Sequence, residues 1–161
     1  YQEKQMTNKQ FIAWAGCLLG IVLLGVQSVS GQVVEPDEHG FMIASPADQH
    51  PPEGSRSVNI YGNPSEPGLY VIQITFAPGR GSRPHFHSTA RYITVLKGSW
   101  WVSTGPESDI YNPDNMRRVE QGTFIYEPPN GHHYDMAKDE EVTVQITGMG
   151  PVVTTSIPQP Q

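Results

Sequence analysis

Six histidines occur in this 161-residue chain, and three of them, His85, His87 and His133, have a spacing that can do chemistry. His85 and His87 are two apart on a segment entering a strand, so their side chains project from one face. Two imidazoles on an inward face make half of a metal site. His133 comes right after the turn signal at 128–131, where a neighbouring strand returns past the first pair, and it offers a third ligand. Neutral imidazole suits zinc, copper, iron and nickel, and three nitrogen ligands leave positions open for water, oxygen or substrate. His132 competes for the third place, because adjacent strand residues point to opposite faces and only one of the two can look inward. His39 and His50 fall in a Pro-rich stretch and are expected in solvent, unless that stretch folds back over a pocket.

Composition narrows what surrounds these ligands. Lys plus Arg number 10 and Asp plus Glu 16, a formal charge of −6, which argues against a nucleic-acid role that needs clustered positive charge. One cysteine, Cys17, removes any disulfide framework and any Cys-rich zinc site. Sixteen Gly and 15 Pro suit turns and strands better than helices. Short β-rich runs lie at 58–61, 69–76, 92–102, 123–127, 133–136, 142–147 and 152–155, separated by turn signals such as Gly62-Asn63-Pro64, Lys97-Gly98 and Pro128-Pro129-Asn130-Gly131. Within 142–147 the apolar Val142, Val144 and Ile146 alternate with Thr143, Gln145 and Thr147, a period of two with one buried face. An antiparallel sandwich or barrel follows, with turns at both rims. Trp100 and Trp101 are consecutive in a strand, so one faces the core and the other outward, where it could join Tyr61, Tyr111 or Tyr134 at a sugar or a dimer interface.

The spacing around the histidines resembles the cupin superfamily. Gly79, His85, His87, Arg91 and Gly98 stand at the separations of its first motif, with Arg91 where the family often has a ligating Glu. Gly122, Pro128, Asn130, His133 and Ala137 fall in register with the second motif, in which Asn130 and Ala137 depart; Asn is the mildest replacement for Gly where the backbone turns left-handed. Register favours His133 over His132. The resemblance covers roughly 57–155 and implies an all-β double-stranded β-helix, a jelly-roll barrel with a metal inside its mouth. A guanidinium cannot coordinate a cation, so Arg91 must turn away to pair with an acid such as Glu127 or Asp135, or hold a substrate oxygen. Losing the carboxylate leaves a neutral three-histidine set, as in three-histidine cupins that handle oxygen or copper. Tyr92, Tyr126 and Tyr134 are near the ligands in sequence and are expected to supply a phenol or a proton relay. Cupins commonly pair through edge strands, so the resemblance also implies a homodimer.

Location completes the sequence reading. Lys4 and Lys9 precede an apolar run at 11–26, followed by small residues, the pattern of a secretory signal peptide cleaved near Val29 or Gln32. The expected organisation is a leader at 1–31, a Pro-rich arm at 32–56 and a cupin domain at 57–157, secreted or periplasmic and free of the membrane after cleavage. Outside the cytoplasm, copper outcompetes most divalent ions for nitrogen ligands. The leading expectation is one divalent metal per chain, copper preferred over iron, zinc or manganese, in an oxidoreductase using oxygen or peroxide on an extracellular carbohydrate such as plant polysaccharide. The alternatives are an iron-, zinc- or manganese-dependent dioxygenase, lyase or isomerase of a small molecule, and a non-catalytic metal- or sugar-binding module.

Overall fold

A computed structural model describes residues 34–160. The expected leader at 1–31, Cys17 included, lies outside the described residues. Ten strands run in order: β1 (Ser57–Tyr61), β2 (Gly68–Phe76), β3 (His85–His87), β4 (Arg91–Lys97), β5 (Trp100–Thr104), β6 (Arg117–Val119), β7 (Phe124–Glu127), β8 (His133–Ala137), β9 (Val142–Gly150) and β10 (Thr154–Ser156). They pair into two antiparallel five-stranded sheets, β1-β2-β9-β4-β7 and β10-β3-β8-β5-β6, the all-β jelly roll that the sequence implies. Among the described residues no helix is long and apolar enough to cross a membrane.

Period-two patterning explains which faces meet. Val142, Val144 and Ile146 of β9 are buried while the intervening threonines and Gln145 are half-buried, and β4 repeats the rule with Arg91, Ile93 and Val95 inward and Tyr92 and Leu96 outward. These residues join Tyr70 and Phe76 from β2 and Trp100, Val102 and Ala137 from the facing sheet in one core. The core therefore lies between the sheets. The run 92–102 is two strands, because Gly98 adopts a φ of 76° and turns β4 into β5. β6 has little apolar signal of its own and is defined by pairing with β5, Trp100 opposite Val119.

Two further segments frame the sheets. The Pro-rich stretch contributes one 3-10 turn at Pro46–Gln49 and packs beside β1 and β2, with Gln73 Nε2 donating to Gln49 Oε1 at 2.7 Å. Its His39 and His50 are exposed. The β5–β6 connection, with 3-10 turns at Pro106–Asp109 and Pro113–Asn115, covers the outer side of β8. That cover is why β8 is buried on both faces rather than alternating.

Ile93 is fully buried at the centre of the core, so Ile93→Ala should cost about 3 kcal/mol through lost burial and the cavity left behind. The shift in urea unfolding midpoint at unchanged slope is the measurement that checks it.

Candidate metal centre

Strand register brings the three histidines together. His85 of β3 lies directly opposite His133 of β8, and His87, two residues on, lies opposite Thr154 of β10. One ring nitrogen from each of His85, His87 and His133 falls within 4.8 Å of the others. His87 and His133 are buried and His85 is half-buried. Asn130 sets up the return, with a φ of 59° and its backbone N–H donating to the His87 carbonyl at 2.8 Å. The structure thus realises the left-handed position at which the second motif usually has glycine.

Each ring is oriented through Nδ1. His85 Nδ1 donates to the Arg83 carbonyl at 2.7 Å and His133 Nδ1 to the Gly131 carbonyl at 2.9 Å, while His87 Nδ1 meets Thr154 Oγ1 at 3.0 Å. A carbonyl only accepts, so the proton of His85 and of His133 sits on Nδ1 and Nε2 is left as a lone pair. His85 Nε2 and His87 Nε2 approach to 3.1 Å, a separation at which the two atoms share either one proton or one cation. Burial, then the Arg91 guanidinium and the other two imidazoles, pushes His87 down to about 2. Burial first, with His85 and Arg91 adding, pushes His133 down to about 4, against smaller opposing effects of the Gly131 carbonyl and Asp135. Both rings are therefore neutral near pH 7, the form that ligates a metal. The donor set fits a divalent transition ion.

The facing sheet supplies charge. Arg91 of β4 lies opposite Glu127 of β7 and forms a two-pronged pair with it, Nε donating to Oε1 at 3.0 Å and Nη2 to Oε2 at 2.7 Å. Pairing with Glu127 settles the expected partner: Asp135 is instead held by Ser82 Oγ, which donates to its Oδ2 at 2.6 Å. Arg91 does not turn out of the site, however. Its Nη2 is 3.4 Å from His133 Nε2, and the Glu127 carboxylate lies 3.5 Å from His133 Nε2 and 3.8 Å from His87 Nε2. The three-histidine set stands as expected, and beside it lies a carboxylate from β7 whose two oxygens are both engaged by the Arg91 guanidinium. The same ladder row continues through Gly148 of β9 to Tyr70 of β2. A Cβ on Gly148 would come within 2.6 Å of the Tyr70 hydroxyl, so only glycine lets this phenol lie across the row. Burial pushes Tyr70 up, with Glu127 adding to that and Arg91 opposing it.

Of the expected tyrosines, Tyr126 and Tyr134 border a cavity shared with His133 and Glu127, although no hydroxyl of the three is hydrogen-bonded to a ligating imidazole. Tyr92 and Tyr126 alternate with inward residues and stack against each other on the outer face of the sheet, ring centres 5.6 Å apart, with Phe124 at 6.5 Å from Tyr92. Tyr134 neighbours His133 in sequence and so faces the other side of β8, where its hydroxyl donates to the Asn112 carbonyl at 2.7 Å and accepts from the Asn112 N–H at 3.1 Å. It pins the covering loop. His132 turns outward to Asp109 and stacks on Phe86 at 5.2 Å. Trp100 is inward and Trp101 outward, under the Lys138 ammonium at 3.9 Å. Glu127 was legible only as a partner for Arg91, and Tyr70 and Thr154 carry no motif signal.

Breaking a buried pair leaves a charge without its counter-ion. Arg91→Met or Glu127→Gln alone should each cost about 3–5 kcal/mol, and the double variant less than the two together. Urea unfolding of the four proteins checks this cycle.

No family model matches the sequence, and no curated protein is similar to it in sequence. Solved structures do resemble the fold. A conserved protein with a double-stranded β-helix domain from Klebsiella pneumoniae subsp. pneumoniae superposes with a TM-score of 0.54 at 16% identity, over 72% of this chain and 96% of that one. The DMSP lyase DddQ from Ruegeria pomeroyi gives 0.51 at 13% identity over 62% of this chain, which spans half of the lyase's length. The polyketide cyclase RemF from Streptomyces resistomycificus gives 0.50 at 18% identity, over 63% and 71% of the two chains. Motif spacing, sheet order and these superpositions agree: the chain has the cupin fold, a double-stranded β-helix with three histidines converging inside it.

Proposed function

We propose that this chain is a metal-dependent enzyme of a small molecule, acting by lyase, isomerase or dioxygenase chemistry within the jelly roll. The observation that carries the reading is the convergence of three Nδ1-anchored imidazoles beside enclosed space. A cavity of about 480 Å³ is lined by His85, His87 and Arg91, and a second of about 310 Å³ by His133 and Glu127. These volumes suit a small ligand. A divalent ion held by His85, His87 and His133 supplies Lewis acidity toward a substrate oxygen. Arg91 holds Glu127 in one orientation at the imidazoles, and β2 and β9 add apolar side chains, Ile72, Ile74, Val144 and Ile146, to the cavity wall. Lyase and cyclase are activities named for two of the structures that share the fold, which supports an enzyme of this general kind. Three nitrogens with an adjacent carboxylate suit iron, zinc or manganese.

A second reading is a secreted copper oxidoreductase acting on a polysaccharide. It draws on the apolar run at 11–26 and on the exposed row Tyr92, Phe124 and Tyr126, a surface on which sugar rings stack. Under either reading we propose export and, from the exposed edge strand β7, pairing into a homodimer.

Metal analysis of protein purified without added ions separates the readings. One iron, zinc or manganese per chain is expected in the wild type and none in His87→Ala; copper with an electron-spin signal would favour the second reading, and no metal at all would sink both. Sedimentation at twice the chain mass is the expected oligomeric result, and a monomer overturns the pairing.

A further inference from the structure

Inside the larger cavity two buried polar atoms have no hydrogen-bond partner among the described residues. They are Asp135 Oδ1 and Trp100 Nε1. Asp135 is 5% exposed and Trp100 3%, and both line the 480 Å³ cavity and the 310 Å³ one, so they stand where the two meet. Leaving such groups unpaired is costly, a penalty that a bound partner removes. Strand register relates them: Asp135 lies opposite Val102 and Trp100 opposite Ala137, which makes the two diagonal neighbours on one inward face. Asp135 is also two residues from His133 on β8, hence about 7 Å along the same face from that ligand. Its other oxygen is already satisfied by Ser82 Oγ, which in turn accepts from the Asp135 N–H at 3.0 Å. The carboxyl is thus locked with Oδ1 toward the cavity.

The two groups are complementary in type. A hydroxyl has what each lacks, since it can donate to Oδ1 and accept from Nε1. The remaining charge of the lining is of one sign. Asp135 is its only acid, whereas the exposed Arg56 and Arg83 also line it, their guanidiniums over Phe76 at 5.3 Å and Tyr111 at 3.8 Å. In a chain of formal charge −6 these two guanidiniums are a local exception.

We infer that the cavity takes a small hydroxylated anion, with a hydroxyl seated between Asp135 and Trp100 and the anionic group toward Arg56 and Arg83. This rests on the small-molecule reading of the metal centre and names its substrate class. The seat places the hydroxyl-bearing carbon one strand repeat from His133, next to the metal ligands rather than at the rim. Asp135 and Trp100 are positioning residues that read the hydroxyl.

Three three-carbon probes test it on protein as purified: glycerate, propionate, which lacks the hydroxyls, and glycerol, which lacks the charge. By saturation-transfer NMR and calorimetry, glycerate should bind at least tenfold more tightly than either. Trp100→Phe and Asp135→Asn should each weaken glycerate about tenfold and leave propionate unchanged, and removing both guanidiniums (Arg56→Gln with Arg83→Gln) should cost glycerate its advantage over glycerol. Should Asp135→Asn fail to fold, Trp100→Phe and the wild-type panel decide the matter. Equal binding of glycerate and propionate, or a crystal of the glycerate-soaked protein with ordered water still on Oδ1 and Nε1, overturns the hydroxyl seat. Metal content measured on the same samples keeps the two ideas apart. Full metal without discrimination overturns this seat alone, and discrimination without metal upholds the seat while overturning the enzyme reading.

Discussion

The architecture turns on the fixed direction of three Nε2 atoms. Carbonyls from Arg83 and Gly131 and the hydroxyl of Thr154 take hold of Nδ1 on His85, His133 and His87, and once those are occupied each ring can offer only Nε2 to the interior. Burial above all, with the Arg91 guanidinium and the neighbouring imidazoles adding, makes His87 and His133 resist protonation. Everything nearby serves that arrangement: the left-handed backbone at Asn130, the pairing of β3 with both β8 and β10, and the covering loop that buries the back of β8.

A second row, on the opposite sheet, faces the first. Glu127, Arg91, Gly148 and Tyr70 follow one another across β7, β4, β9 and β2, so a carboxylate, a guanidinium and a phenol reach the interior from one line of the ladder. The negative charge thus arrives with its own counter-charge. The guanidinium offsets the carboxylate's charge while an oxygen stays within 3.5–3.8 Å of two ring nitrogens. The histidine row and the charge row belong to different sheets, and the space between them is where a ligand must lie.

Sequence reading reached the first row and only the Arg91–Glu127 pair of the second, for a physical reason. His85, His87 and His133 sit in short motifs whose glycines, Gly79, Gly98 and Gly122, all adopt positive φ, so local backbone demands mark them. Alternation of apolar and polar residues likewise marks the buried face of β9. Glu127, Tyr70 and Thr154 are joined to the histidines only by cross-strand register, and register between strands far apart in the chain leaves no local trace. Proximity in sequence misled in the complementary way. Tyr92 and Tyr134 are each one residue from a site residue, and on a strand one residue is the opposite face.

Gly148 lies directly between Tyr70 and Arg91 in the ladder, and its missing side chain is occupied space: the phenol fills it. The side chains these two positions can hold are consequently coupled by volume. A smaller residue at 70 would vacate room for a side chain at 148, whereas any side chain at 148 first requires the phenol to go.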